Sequence, residues 1–198
     1  MSENVALVLA AGFSHRYGSD KRFSGKDSPL ILQTLTKVLC HFDTVYLVHR
    51  FDDDDLINLL AGYNVTLIAA PDNEIGLGIS IAAGSKHIAN INDKTNDKTA
   101  KHPINSITIF LADMPFIGDD TIAKILKQAD PDTIIRPLYN NKPGHPVCFG
   151  SSFIAALVEL TGDNGAAAII KANSNNIKYV EVSDIGIIND IDIPSNWP

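Results

Sequence analysis

The chain has 198 residues, 45% of them hydrophobic, enough to bury a core and to form one domain over residues 1–198. With 16 Lys plus Arg against 23 Asp plus Glu, its net charge of -7 disfavours a nucleic-acid or membrane partner and points to a metabolite. Cys40 and Cys148 form no CxxC pair, so buried free thiols in a reducing compartment are expected in preference to a disulfide framework or a zinc site.

Residues 5–9, VALVL, are too short a run to span a membrane and suit a strand buried on both faces. No charged leader with an apolar core and cleavage site precedes them, which makes the cytoplasm the expected location. Ala10, Ala11 and Gly12 follow at once, and without large side chains their backbone N–H groups can approach an anion such as phosphate. Arg16, Lys21 and Arg22 offer charge to neutralise it. An ordinary strand-to-helix turn with a solvated basic face is the competing reading.

A helix is expected over 29–40 and a strand over 44–49. The acidic run 52–55 opens a helix over 54–62, where carboxylates meet the helix dipole favourably; a metal cluster is the weaker alternative. A strand over 65–69 and a helix over 79–89 lead to the polar segment 90–102 with its tandem NDKT, which reads as a surface loop. A fourth strand covers 107–111. This alternation predicts βαβ units on a mostly parallel sheet, an α/β fold. Ligands of such sheets sit beyond the carboxyl ends of the strands, where the loop after Leu9 and the segment after Leu111 converge.

Asp113 follows its strand directly, and Met114-Pro115 stops the strand and fixes the carboxylate at the sheet edge. Facing a phosphate loop, it can hold Mg2+ against phosphate oxygens; capping its own turn is the alternative. The second half predicts a helix over 119–129, a strand pair at 133–137 and 147–149 joined by NNKPGH, helices over 151–160 and 164–172, and short strands to the end. In the closing NDIDIP, Asp190 and Asp192 fall on one side of an alternating, strand-like stretch, either completing a cation pocket or protecting an edge strand. Neither a Walker loop nor a GxGxxG fingerprint follows the first strand.

The segment LAAGFSHRYGSDK resembles the LAAGxSxRxGxxK signature of the MobA-like nucleotidyltransferases, particularly the molybdenum cofactor cytidylyltransferase branch. Further segments resemble that family in its own order: GLGISIAAG its serine-bearing Gly-rich stretch, LADMPF its GDMP, PLYNNKPGHPV its PxxxGxxGHPV, GDNGAAAII its GDxGAxxLL, and NDIDIP its DIDTPED. The resemblance implies a Rossmann-like three-layer nucleotidyltransferase fold and attack of a substrate phosphate on the α-phosphate of an NTP, releasing pyrophosphate. By the same resemblance, Leu9, Ala10, Ala11, Gly12, Ser14, Arg16, Lys21 and Ser80 bind nucleotide, with the LAAG form leaning towards CTP. Arg16, Lys21 and Asp113 carry catalysis, since such transfers need charge neutralised and groups held in line. Asp113 with Asp192 or Asp190 holds Mg2+.

Gly144, His145 and Pro146 form the expected acceptor side, where the neutral-to-cationic range of histidine suits a second phosphate. A loop histidine bonded to backbone is the alternative for His145, and a first-turn serine satisfying its own backbone is the alternative for Ser80. Asn141 replaces the first glycine of its motif, a change that Asn tolerates because it accepts positive φ. DIDIPSN loses the Thr, Glu and last Asp of the family ending. Three functions follow from the resemblance: a cytidylyltransferase for molybdopterin, a relative acting on a sugar phosphate, polyol phosphate or other small phosphate or using another NTP, and a non-catalytic protein that delivers cofactor to a molybdoenzyme partner.

Overall fold

The computed structural model describes residues 3–14, 17–72, 76–94 and 103–197. Its first strand, β1 (Glu3–Leu9), lies at the centre of the sheet, flanked by β2 (Val45–His49) and β4 (Ile104–Leu111), both parallel to it. β3 (Thr66–Ala69) adds in parallel outside β2. On the other side the chain reverses: β7 (Val147–Gly150) runs antiparallel to β4 and to β5 (Ile134–Tyr139), and β8 (Ile177–Glu181) pairs in parallel with the far edge of β5. The order is β3-β2-β1-β4-β7-β5, with the two-residue β6 (Lys142–Pro143) continuing the β7 arm. The sheet is mixed and mostly parallel, as the alternating pattern predicted.

Because successive side chains of a strand point to opposite faces, β1 feeds two cores at once. Val5, Leu7 and Leu9 enter the core covered by α3 (Leu77–Lys94), α5 (Ile154–Val158) and α6 (Ala167–Ala172). Ala6 and Val8 enter the core covered by α1 (Leu30–His41), α2 (Asp54–Leu60) and α4 (Asp119–Leu126). The result is three layers, with β1 buried on both faces. Among the described residues, no helix is long and apolar enough to cross a membrane.

Several local expectations change. α3 runs on to Lys94, so the start of the NDKT segment is helical; residues 95–102 lie outside the described residues. The hairpin after β5 turns at Asn140 and Asn141 alone, both at positive φ (48° and 61°), the primed type of turn that matches strand twist and that Asn accommodates. Residues 189–193 form no strand: Ile191 is fully buried, and its N–H bonds the Asp113 carbonyl (2.9 Å) instead of a strand edge. The segment after β8 is built of short 3-10 turns, so only one of the expected closing strands exists. Cys148 is buried, but Cys40 is exposed near the end of α1.

Candidate active site

Three cavities run side by side along the carboxyl ends of β1 to β4. The first, about 200 Å³, lies between the loop after β1 and the loops after β2 and β3, with Phe13, Arg50 and Asp72 on its walls. It shares Ala11, Phe13, Gly76 and Ser80 with a second cleft of about 470 Å³ that ends at Asp113. That cleft shares Leu9, Leu77 and Leu111 with a third cavity of about 310 Å³ reaching His145 and Arg136. Asp113 therefore stands in the middle cleft, between the outer two.

The acidic centre forms where the fold brings the ends of the chain together. Asp113, Asp190 and Asp192 offer oxygens within 4.8 Å of one another. The Ile191 hydrogen bond to Asp113 pins the C-terminal segment there, with Asp190 and Asp192 on either side of the buried Ile191. Lys21 Nζ donates to Asp113 Oδ2 (2.7 Å) and Asp192 Oδ1 (3.0 Å). Burial alone would disfavour the Lys21 charge, but these two carboxylates outweigh it and raise its pKa. Burial, and then the charges of Asp192 and Asp113, raise the pKa of Asp190. The residues fit a divalent cation: Asp113 Oδ1 is buried without a hydrogen-bond partner, and a hard cation selects such oxygens.

The loop after β1 is held from below. Arg22, only 4% exposed, bonds Asp20, the Ala10 carbonyl and both oxygens of Asp53, itself 6% exposed. Arg50 bonds Asp20 and the Gly12 carbonyl and stacks on the Phe13 ring at 4.8 Å. Ser14, at φ 55°, accepts from the Lys21 N–H (3.3 Å) and closes the loop. Gly12 is exposed, with open space where a Cβ would stand. Arg22 is thus committed to structural partners and is not a phosphate ligand. Asp53 does not serve the α2 dipole alone, because it also receives the Arg50 backbone N–H (3.2 Å). Arg16 lies outside the described residues.

Leu9 and Ala11 line the clefts, whereas Ala10 is buried in the opposite core. Ser80 lines the first two cavities, but its hydroxyl donates to the Gly76 carbonyl (3.2 Å), as a serine satisfying its own helix does. Gly76 and Gly78 admit a close neighbour: a Cβ on either would stand 2.3 Å or 2.6 Å from the carbonyl oxygen of Gly162 or Thr161. That contact seats Asp163 where it accepts the Leu77 N–H (3.1 Å) at the start of α3 and lines the middle cleft. Two segments far apart in sequence thus make one wall.

On the acceptor side only His145 of the three expected residues lines the cavity. Gly144 and Pro146 are buried, and a Cβ on Gly144 would lie 2.2 Å from the Ile187 carbonyl oxygen, so they position His145 without facing the space. Burial, and then the Arg136 charge, push the His145 pKa down to about 4. Burial thus favours the neutral end of the neutral-to-cationic range expected for this ring.

Sequence reasoning missed Asp53, Asp163, Arg136 and Trp197. Asp53 was visible only as one of four acids in a row, and Arg136 as one basic residue in a strand. Trp197 donates from its indole N–H to the Tyr17 hydroxyl (3.1 Å) and meets Phe116 edge to face, tying the chain end to the loop after β1.

The solved structures it resembles include Rv0371c of Mycobacterium tuberculosis H37Rv, at 20% identity and TM-score 0.77 over 99% of this chain and 95% of that chain; Rv0371c has also been solved in complex with manganese. The 4-diphosphocytidyl-2C-methyl-D-erythritol synthase of Anaerococcus prevotii aligns at 15% identity and TM-score 0.72 over 98% and 92%. The molybdopterin-guanine dinucleotide biosynthesis protein A of Archaeoglobus fulgidus aligns at 19% identity and TM-score 0.65 over 97% and 94%. At these identities the likeness is one of fold. A search of curated proteins finds no match. The family description "MobA-like NTP transferase domain" matches residues 6–177, from the first strand to the start of β8 and through all three cavities, and the chain belongs to that family.

Proposed function

We propose that this nucleotidyltransferase moves a cytidylyl group from CTP to the phosphate of a molybdopterin-type acceptor in the cytoplasm, using Mg2+. The observation that carries this reading is the row of three cavities with Asp113 and Lys21 at its middle. The first suits a base, with the Phe13 ring on its wall and Ala11 at its floor. The middle cleft suits a triphosphate, with Gly12 and Lys21 on the loop beside it. The third receives the acceptor.

An acceptor phosphate oxygen attacks the α-phosphorus, the bond from that phosphorus to the bridging oxygen breaks, and pyrophosphate leaves with the electron pair. Lys21 stabilises the charge that builds on the phosphates. The loop locked by Arg22, Asp20 and Asp53 holds backbone donors in place, so little reorganisation is needed as the charge moves. Asp113, Asp190 and Asp192 would hold Mg2+, which supplies Lewis-acid polarisation of phosphate oxygens when bound.

A second reading, transfer to a polyol phosphate, is favoured by the fold shared with a diphosphocytidyl-methylerythritol synthase. Both readings use a cytidine nucleotide. The test is a thermal melt with CTP, GTP and ATP, each with and without Mg2+, because a ligand that binds only the folded state raises apparent stability. The expected result is a Mg2+-dependent shift with CTP that exceeds the others. Equal shifts for all three would refute the base preference, and no shift would refute the nucleotide site.

A further inference from the structure

The third cavity has a charge pattern that nucleotide binding does not use. Arg136 and Lys171 are on its lining, and no acidic residue is, in a chain with seven more acids than Lys and Arg combined (23 against 16). The rest of the wall is largely apolar, with Ile81, Ile109, Val147 and Phe149 on it. Arg136 stands on β5, two residues after Ile134 and on the same face, above the core that α3, α5 and α6 cover.

The other internal arginines are ion-paired, although the Arg50 Nε, like that of Arg136, is buried without a hydrogen-bond partner. Arg22 spends its three nitrogens on Asp20, Asp53 and the Ala10 carbonyl, and Arg50 reaches Asp20 and the Gly12 carbonyl. Arg136 has no ion pair among the described residues, and its Nε is buried without a hydrogen-bond partner. Burial lowers its pKa, and Tyr179 offsets that only in part. His145 beside it also has a covered Nδ1 that bonds nothing. A half-buried guanidinium without a counter-ion keeps donors to spare, and its planar fork matches an incoming phosphate bidentately.

We propose that Arg136 is the specificity-determining anion socket of the acceptor cavity, seating the phosphate of an acceptor whose apolar or aromatic body lies along the Ile81, Ile109 and Phe149 wall. This rests on the nucleotidyl-transfer reading of the neighbouring cleft. It narrows the acceptor class: a phosphomonoester on an apolar body fits, and a fully hydroxylated polyol phosphate leaves its hydroxyls facing hydrocarbon. Neutral His145 contributes a hydrogen bond rather than charge.

The test is calorimetric titration of the full chain with phenyl phosphate and with sorbitol 6-phosphate, comparing wild type with R136M and R136K. Phenyl phosphate should bind the wild type more tightly than sorbitol 6-phosphate, and R136M should weaken it by about 10–100-fold, the size of a lost charged hydrogen-bond pair. R136K should recover only part, since lysine lacks the fork. The CTP melt shift with Mg2+ is recorded on the same preparations and should be equal in R136M and wild type. Phenyl phosphate binding that is absent from wild type, or unchanged in R136M, would overturn the socket. So would loss of the CTP shift in R136M. Equal or tighter binding of sorbitol 6-phosphate would overturn the apolar-body assignment. Absence of a CTP shift in wild type, by contrast, counts against the nucleotide reading itself.

Discussion

Lys21 Nζ lies 2.7 Å from Asp113 Oδ2, joining two residues 92 positions apart across the carboxyl ends of β1 and β4. The same ammonium reaches Asp192, so one cation holds together carboxylates that also form the candidate metal centre. Asp113 and Asp192 would hold a divalent cation, which would leave the Lys21 ammonium without these two partners. Lys21→Met is expected to reduce turnover by about 10²–10³-fold, the scale of one lost donor to a developing anion. Its melting temperature should change little, because the pair is partly solvated. Steady-state kinetics and a melt on one preparation check this; a melt shift without a rate loss contradicts it.

Asp113→Asn keeps the shape of the side chain and removes the charge. The Mg2+ dependence of the CTP melt shift should vanish in this variant while the protein still folds. If the dependence survives unchanged, the cation binds elsewhere.

Arg22 and Asp53 are buried together, so removing Arg22 leaves the Asp53 carboxylate uncompensated in the interior, while removing Asp53 leaves Arg22 paired with Asp20 alone. Breaking such a pair costs about 3–5 kcal/mol. For a chain of this size that lowers the melting temperature by roughly 6–20 °C. Arg22→Met should show this loss and Asp53→Leu a smaller one, since Asp20 still pairs Arg22, and the double variant should recover part of it. A double-mutant cycle by urea unfolding reads the coupling; strict additivity would show that the pair does not act as one.

His145 makes stability pH-dependent. The unfolded imidazole takes up a proton near its ordinary pH of 6.5, but the native one does so only near about 4. Between those values the unfolded state binds more protons, so stability falls as pH falls from 6.5 towards 4. The loss is on the order of 3 kcal/mol in total. His145→Gln should flatten that part of the curve of unfolding free energy against pH. A wild-type curve already flat there would contradict the burial of the neutral ring.

Trp197 ties the chain end to Tyr17, a few residues past the Asp190 and Asp192 arm. Trp197→Ala should raise the Mg2+ concentration needed for half-maximal activity several-fold, with the maximal rate nearly kept. A loss of maximal rate at unchanged Mg2+ demand would place Trp197 in a different role.

Much of this architecture is legible in local chemistry. An apolar run as short and β-branched as VALVL suits a strand buried on both faces, and small residues after it leave room for a ligand, because these properties depend on side-chain size and shape. The positions of Lys21 and Asp113 beyond the strand ends follow from the same pattern. Alternation also put Asp190 and Asp192 beside each other, although it suggested a strand where one buried isoleucine and one hydrogen bond suffice. The tertiary structure decided what each charge is spent on. Lys21 and Arg22 are neighbours in sequence, yet one reaches the cleft while the other is consumed by Asp20 and Asp53. Arg136 looks like any basic residue in a strand until the reversed direction of β7 sets it beside His145 with no ion pair among the described residues. Charge pairing and desolvation depend on which distant elements pack together, and in this sheet strand order, not sequence proximity, sets those distances.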